Sequence, residues 1–206
     1  MNSKIKLPKP NIEGEISLAR AINKRHSVRS YKNKPLSIKD LSQIIWAAGG
    51  LRINGVSSAS RTIPSAGGIY PLKFYVLAGN VENVKQGLYI YKYEDHSLER
   101  IINRDIRDEL SAASFSQSMI KYAPATVVIT SVTSKIASRY GNRGANRYAP
   151  MECGHSGQNI YLMAESRGIS TVAIGAFNDI KVGEVMNLSE DEKPVYIFPV
   201  GYSQKQ

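Results

Sequence analysis

Apolar positions recur along the chain in two periods, and the switches between them mark the elements. Ile16, Ala19 and Ile22 stand at helical spacing and predict a first helix over residues 15–24. Residues 1–14 before it read as an extended, proline-containing arm, which leaves 15–206 as one domain. Ser37, with Asp40 three residues on, is a helix-start signature; Ile38, Leu41, Ile44, Ile45 and Ala48 form an apolar face behind it, and Gly49-Gly50 ends the run. A Ser- and Gly-rich loop then leads to a strand at 73–79. The segments 87–93 and 97–101 flank Glu94-Asp95-His96 and predict a hairpin. Short helical segments follow at 105–113 and 116–121. The β-branched run at 125–132 predicts a strand buried on both faces. A long helix is expected over 148–167, patterned on Met151, His155, Gln158 or Asn159, Leu162 and Met163, with Gly168 just past its end. Strands are expected at 170–177 and 194–202, separated by a helix that Asn178 caps and that runs through Met186. The class is α+β, a mixed sheet flanked by helices.

Composition narrows the function classes. The 206 residues carry 42% hydrophobic side chains, enough to bury a core without staples. A single cysteine, Cys153, excludes an internal disulfide and a cysteine-built metal site, and its expected state is a buried, inert thiol. His26, His96 and His155 lie far apart with no metal-binding spacing, so no metal is expected. No apolar run is long enough to cross a membrane and the opening residues lack a secretory core, so the expected setting is cytoplasmic, with no membrane partner. Neither a phosphate-binding P-loop nor a dinucleotide fingerprint is present. Gly154-His155-Ser156-Gly157 and Ser118-Met119-Ile120-Lys121 mimic nucleophile motifs without the partners those motifs need.

The charge, +10, favours an anionic partner. It concentrates in Arg20, Lys24, Arg25, Arg29, Lys32 and Lys34, and again in Lys135, Arg139, Arg143 and Arg147. The second set is spaced by four, but Gly141 and Gly144 argue against one unbroken helical stripe. A basic nucleic-acid-binding module is the remote reading. Stacking platforms and DNA- or RNA-binding signatures are missing, so nucleic acid is not the expected partner.

Three short segments carry the chemistry. In Arg25-His26-Ser27-Val28-Arg29 an extended backbone points Arg25, Ser27 and Arg29 one way and Val28 toward the core; two guanidinium forks and a hydroxyl suit a phosphate dianion. Pro64-Ser65-Ala66-Gly67-Gly68 is a loop of small residues fixed by proline, whose backbone lets a flat ligand approach. Ile174-Gly175-Ala176-Phe177-Asn178 ends a strand and opens a helix, where amide donors are free.

These segments, in this order, together with PLSIKDLSQIIWAAGG, GLYIY, ECGHSGQNIYLMAESRG and PVG, resemble the nitroreductase family of FMN-dependent oxidoreductases, and within it the SagB-type dehydrogenase branch. The resemblance implies an intertwined homodimer with two FMN sites. It assigns Arg25, His26, Ser27 and Arg29 to the FMN phosphate and ribityl chain. Pro64, Ser65, Ala66 and Gly68 would contact the cofactor from the other subunit, and Gly175 and Ala176 would be backbone donors near flavin N5. It implies NADH or NADPH as electron donor and a small electron-poor acceptor such as a nitroarene or quinone. The alternative it carries is oxidation of peptide azolines to azoles. Several members with that activity use a Lys-Tyr pair, where this chain has Arg139-Tyr140; the resemblance leaves Tyr140 able to act in proton transfer, whereas arginine is a poor base. A fold that binds flavin without catalysis is a third reading. Basic residues beyond the last strand, which many members use on the phosphate, reduce here to Lys205, with Arg143 or Arg147 as substitutes.

Overall fold

A computed structural model describes residues 4–53 and 61–204. The described strands are β1 (Lys4–Lys6), β2 (Leu72–Ala78), β3 (Gly87–Lys92), β4 (Ser97–Ile102), β5 (Ala125–Val132), β6 (Ser170–Thr171) and β7 (Glu192–Gly201). They form one seven-stranded sheet in the order β1-β4-β3-β2-β5-β7-β6. Every ladder between these strands is antiparallel; parallel pairing enters only at the isolated bridges Ser27↔Thr171 and Leu36↔Val81. The sheet is mixed to that extent only.

Strand alternation divides the core into two layers. Phe74, Val76, Val127 and Ile129 face helices α2 (Ile38–Gly49) and α6 (Ala149–Ser166). Tyr75, Leu77, Val128 and Ile197 face α3 (Arg107–Ala113), α4 (Ser118–Tyr122) and α7 (Asp179–Met186). Both faces of β5 are therefore covered, as its β-branched run requires.

The α2 helix forms as its pattern predicts. The Ser37 hydroxyl accepts from the Asp40 amide and donates to Asp40 Oδ2. Such a cap contributes about 1 kcal/mol. Leu41, Ile44 and Ile45, all at zero exposure, contribute about 1.5–3 kcal/mol each, so burial of the face rather than the cap holds the helix. Asp40 also accepts from Arg167 at the end of α6 and from the Tyr202 hydroxyl after β7, which ties three distant segments together.

Several elements depart from the pattern-based expectation. The first helix, α1, runs Leu18–Lys24, and of its residues only Ala21 is buried, not the expected Ile16, Ala19 and Ile22 face. In α6 the buried side is Ala149, Glu152, Cys153, Ser156, Gly157, Ile160 and Ala164, whereas Met151, His155 and Gln158 face outward. The helix lies so close to β7 that a Cβ on Gly157 would meet Phe198 at 2.7 Å. The expected strand at 170–177 shrinks to Ser170–Thr171, with Ile174 bridged singly to Ile197. A helix absent from the pattern, α5, spans Thr133–Arg143 and is broken at Gly141 (φ 55°, ψ −153°), followed by a π turn at Gly144–Tyr148. The glycines interrupt the basic stripe, as their propensity implied.

Candidate functional site

The basic segment leaves α1 at Arg25, whose ψ of 123° takes it out of the helix. Its register is fixed by Val28, which is buried and donates to Thr171 O at 2.9 Å. Alternation then turns Arg25, Ser27 and Arg29 outward. Among the described residues neither arginine has an acidic partner, so two guanidinium groups stand ready for an anion. Arg25 lies 5.0 Å from the centre of the Tyr161 ring. His26 is exposed and its Nδ1 contacts Lys24 O at 3.0 Å, a local contact.

Tyr161 is the residue that sequence reasoning missed. Its hydroxyl accepts from the Ala173 amide at 2.8 Å and shares a hydrogen bond with the Ser27 hydroxyl, also at 2.8 Å. It joins the basic segment to the chain two residues before Gly175. The available signal was its chemistry: a tyrosine in a helix that faces the sheet must find a partner for its hydroxyl.

The turn after Ala173 is held on both sides. Ile174 and Ile197 exchange two backbone hydrogen bonds, at 2.8 and 3.0 Å. Gly175 and Ala176 are exposed, and among the described residues their amides have no acceptor. Gln117 Nε2 donates to Ala176 O at 2.8 Å, the Asn178 amide donates to Ala113 O at 2.9 Å, and Phe177 is buried. Asn178 caps α7 by accepting from the Lys181 amide at 3.0 Å.

The Pro64–Gly68 segment forms a second group. Ser65 Oγ donates to Glu152 Oε2 at 2.6 Å and accepts the Tyr70 amide at 2.8 Å. Gly67 and Gly68 have φ of 60° and 68°, which glycine takes without strain. Ala66 and Gly68 lie in a single 3-10 turn, and Pro64 is exposed. Arg139 Nη1 donates to Gly67 O, and the Tyr140 hydroxyl packs so closely that a Cβ on Gly67 would lie 2.7 Å from it. Lys135 Nζ donates to Tyr70 O at 2.9 Å. The second basic cluster thus gathers on this loop; Arg143 turns instead to the Tyr148 hydroxyl at 2.9 Å.

Beneath the loop, Glu152 is 3% exposed, and among the described residues its Oε1 has no hydrogen-bond partner. Burial pushes its carboxyl up to about 7, against the Ser65 hydrogen bond and the charges of Arg61 and Lys135. Arg61 donates through Nε to Gly49 O at 2.6 Å and lies 4.1 Å from the Tyr93 ring centre. Burial lowers the pKa of Arg61, and burial followed by the Arg61 charge lowers that of Lys135. Cys153, next to Glu152, is fully buried, and burial pushes its thiol up, so it is held protonated and inert.

Within one chain, then, Arg25 and Ser27 are brought to the Gly175–Ala176 turn, and Tyr140 to the Gly67 loop. The two groups are separate: Glu152 and Tyr161 lie about 14 Å apart along α6. Among the described residues no cluster of His, Cys, Asp and Glu could hold a metal ion, and no helix is long and apolar enough to cross a membrane.

The fold is that of an α+β oxidoreductase. The Nitroreductase family profile matches residues 22–202, and the chain belongs to that family. It is 39% identical over 201 residues to the nitroreductase MJ1384 of Methanocaldococcus jannaschii, covering 98% of both chains. It is 29% identical over 164 residues to the microcin B17-processing protein McbC of Escherichia coli, covering 77% of this chain but 59% of McbC. A crystal structure of a nitroreductase-family protein from Ralstonia eutropha superposes with a TM-score of 0.85 at 27% identity, over 98% of this chain and 90% of the other.

Proposed function

We propose that the protein is an FMN-dependent oxidoreductase, working as a homodimer, that passes hydride from NADH or NADPH to a small electron-poor acceptor such as a nitroarene or quinone. The observation that carries this reading is the outward row Arg25, Ser27 and Arg29, with no acid paired to either arginine among the described residues, linked through Tyr161 to the turn that bares the Gly175 and Ala176 amides. These residues fit FMN. The arginines match a phosphate dianion, Ser27 can donate to it or to the ribityl chain, and the amides suit the polar edge of the ring. In this reading His26, exposed in the same segment, belongs to the phosphate site as well. FMN bound there supplies a two-electron carrier that takes up and releases hydride at N5.

The chain's own residues do the positioning. Tyr161 fixes the Ser27 hydroxyl, and the Ile174–Ile197 bridge fixes the turn that presents Gly175 and Ala176. Loop 64–68 lies apart from both within the chain, which accords with Pro64, Ser65, Ala66 and Gly68 reaching the ring of a second copy. A second copy would also cover the apolar side chains that α1 leaves open. Leu18 and Ile22 are 66% and 54% exposed, and Leu18 lines, with Trp46, Leu162 and Met163, a groove of about 530 Å³. Tyr140, seated on Gly67, is positioned to move a proton at the same ring. The cytoplasmic setting expected from the sequence is part of the same reading.

A second reading is favoured by the placement of Arg139 and Tyr140 together on Gly67, and by the likeness to McbC, a protein that processes microcin B17. In it the protein is a SagB-type dehydrogenase that oxidises a peptide azoline to an azole, with the electron pair passing through the flavin to oxygen. Titration with FMN, followed by anaerobic NADH or NADPH, tests both. Flavin uptake and bleaching by the nicotinamide support the reductase; uptake without bleaching favours the dehydrogenase or a flavin-binding fold without catalysis. A colourless monomer that takes up no FMN overturns both, and strongly salt-dependent duplex binding by such a monomer would restore the nucleic-acid reading.

A further inference from the structure

Phe115 stands in the turn between α3 and α4 at a φ of 54°, and Ser116 beside it at 60°. Two consecutive residues with side chains in the left-handed region strain the backbone; glycine or asparagine would make the same turn at lower cost. Strain of this kind collects where a side chain is held for use. Phe115 is also 66% exposed, and among the described residues its ring stacks on no other.

Its position is set from both ends. Ala113, two residues before it, accepts the Asn178 amide; Gln117, two residues after it, donates to Ala176 O. The segment 113–117 is therefore stapled across the turn that bares the Gly175 and Ala176 amides, with Phe115 at its middle. Ile180, in the first turn of α7 five residues after Gly175, is 75% exposed. Two large exposed apolar side chains thus stand on the segments that adjoin this polar backbone edge, one of them on strained backbone.

We propose that Phe115 is a specificity-determining residue, an aromatic platform on which a flat electron-poor acceptor stacks beside the 175–176 turn, with Ile180 completing the apolar rim. The inference rests on the FMN reading above and names the residue that would select planar acceptors. Aromatic contacts of this type discriminate by ring geometry, so the effect falls on flat acceptors and not on compact inorganic ones.

The test uses the full chain loaded with FMN and reduced with dithionite, which makes it independent of the nicotinamide donor. Stopped-flow reoxidation is followed with menadione, a planar quinone, and with ferricyanide, an octahedral anion. Phe115→Gly is expected to lower the ratio of the menadione to the ferricyanide rate constant by about three- to tenfold. Its melting temperature should hold or rise, because glycine relieves the left-handed strain. Phe115→Trp should restore the ratio. An unchanged ratio in Phe115→Gly overturns the inference alone, as does a loss of stability accompanied by equal losses with both acceptors. A wild-type chain that takes up no FMN overturns the FMN reading, and the inference with it.

Discussion

Ser65 and Glu152 share a hydrogen bond of 2.6 Å, and the same Ser65 oxygen accepts the Tyr70 amide, so one buried carboxyl anchors the glycine-rich loop through one hydroxyl. The carboxyl lies away from water with one oxygen unpartnered among the described residues, and its pKa is pushed from 4.5 to about 7. A raised carboxyl pKa means that the folded chain binds more protons than the unfolded one across that interval. Stability therefore falls as pH rises from about 4.5 to about 7 and levels off above it. The full loss is about 3 kcal/mol.

Glu152→Gln removes this titration while keeping an amide that can accept from Ser65. Urea unfolding at pH 5 and pH 8 should show wild type losing more stability than the variant between the two. Parallel profiles would mean that Glu152 does not titrate there.

Tyr161→Phe deletes the hydroxyl that accepts from Ala173 and is hydrogen-bonded to Ser27. The Ala173 amide then loses its partner, at a cost of about 1–3 kcal/mol. FMN affinity should fall about fivefold as Ser27 loses its orientation. Denaturation and a fluorescence titration measure the two effects separately, and an unchanged affinity would detach Tyr161 from the cofactor site.

These two residues also mark where sequence reasoning ran out. The run 125–132, the Ser37–Asp40 cap and Gly168 (φ 64°) after α6 could be read because each is a local rule expressed in local residues. The buried face of α6 could not. Close approach to β7 demands Gly157 against Phe198, and the Ser156 hydroxyl is spent on Ala48 O, so small and polar residues occupy the inner positions. Periodicity then selected the outer Met151 and His155. The strand at 170–177 was over-read because Ala173 donates to a side chain, Tyr161, where a ladder would need a strand. Of the site, the alternation of Arg25, Ser27, Val28 and Arg29 was legible. Its connection to the 175–176 turn runs through residues distant in sequence and was not.

Arg25→Ala should weaken FMN retention by about 1.5–3 kcal/mol, the range for a charge-assisted hydrogen bond. It also removes the contact with the Tyr161 ring. Arg29, which has no such ring contact, isolates the charge term. Arg29→Ala should lose affinity that shrinks further with added salt, as expected of an exposed cation on a phosphate. Equilibrium titration with FMN at two ionic strengths checks both, and retention equal to wild type in both variants would misplace the phosphate.

The exposed apolar side of α1 makes the last prediction. Leu18 and Ile22 are four residues apart on one helix and stay largely uncovered in the single chain. Covering an apolar side chain contributes about 1.5–3 kcal/mol, so a second copy seated here gains several kcal/mol from these two residues alone. Leu18→Lys combined with Ile22→Lys places two charges in that contact, and costs the isolated chain little because both positions already face water. The double variant should elute and scatter as a monomer, keep its helical circular dichroism, and hold FMN more weakly than wild type. A variant that remains dimeric would move the interface away from α1.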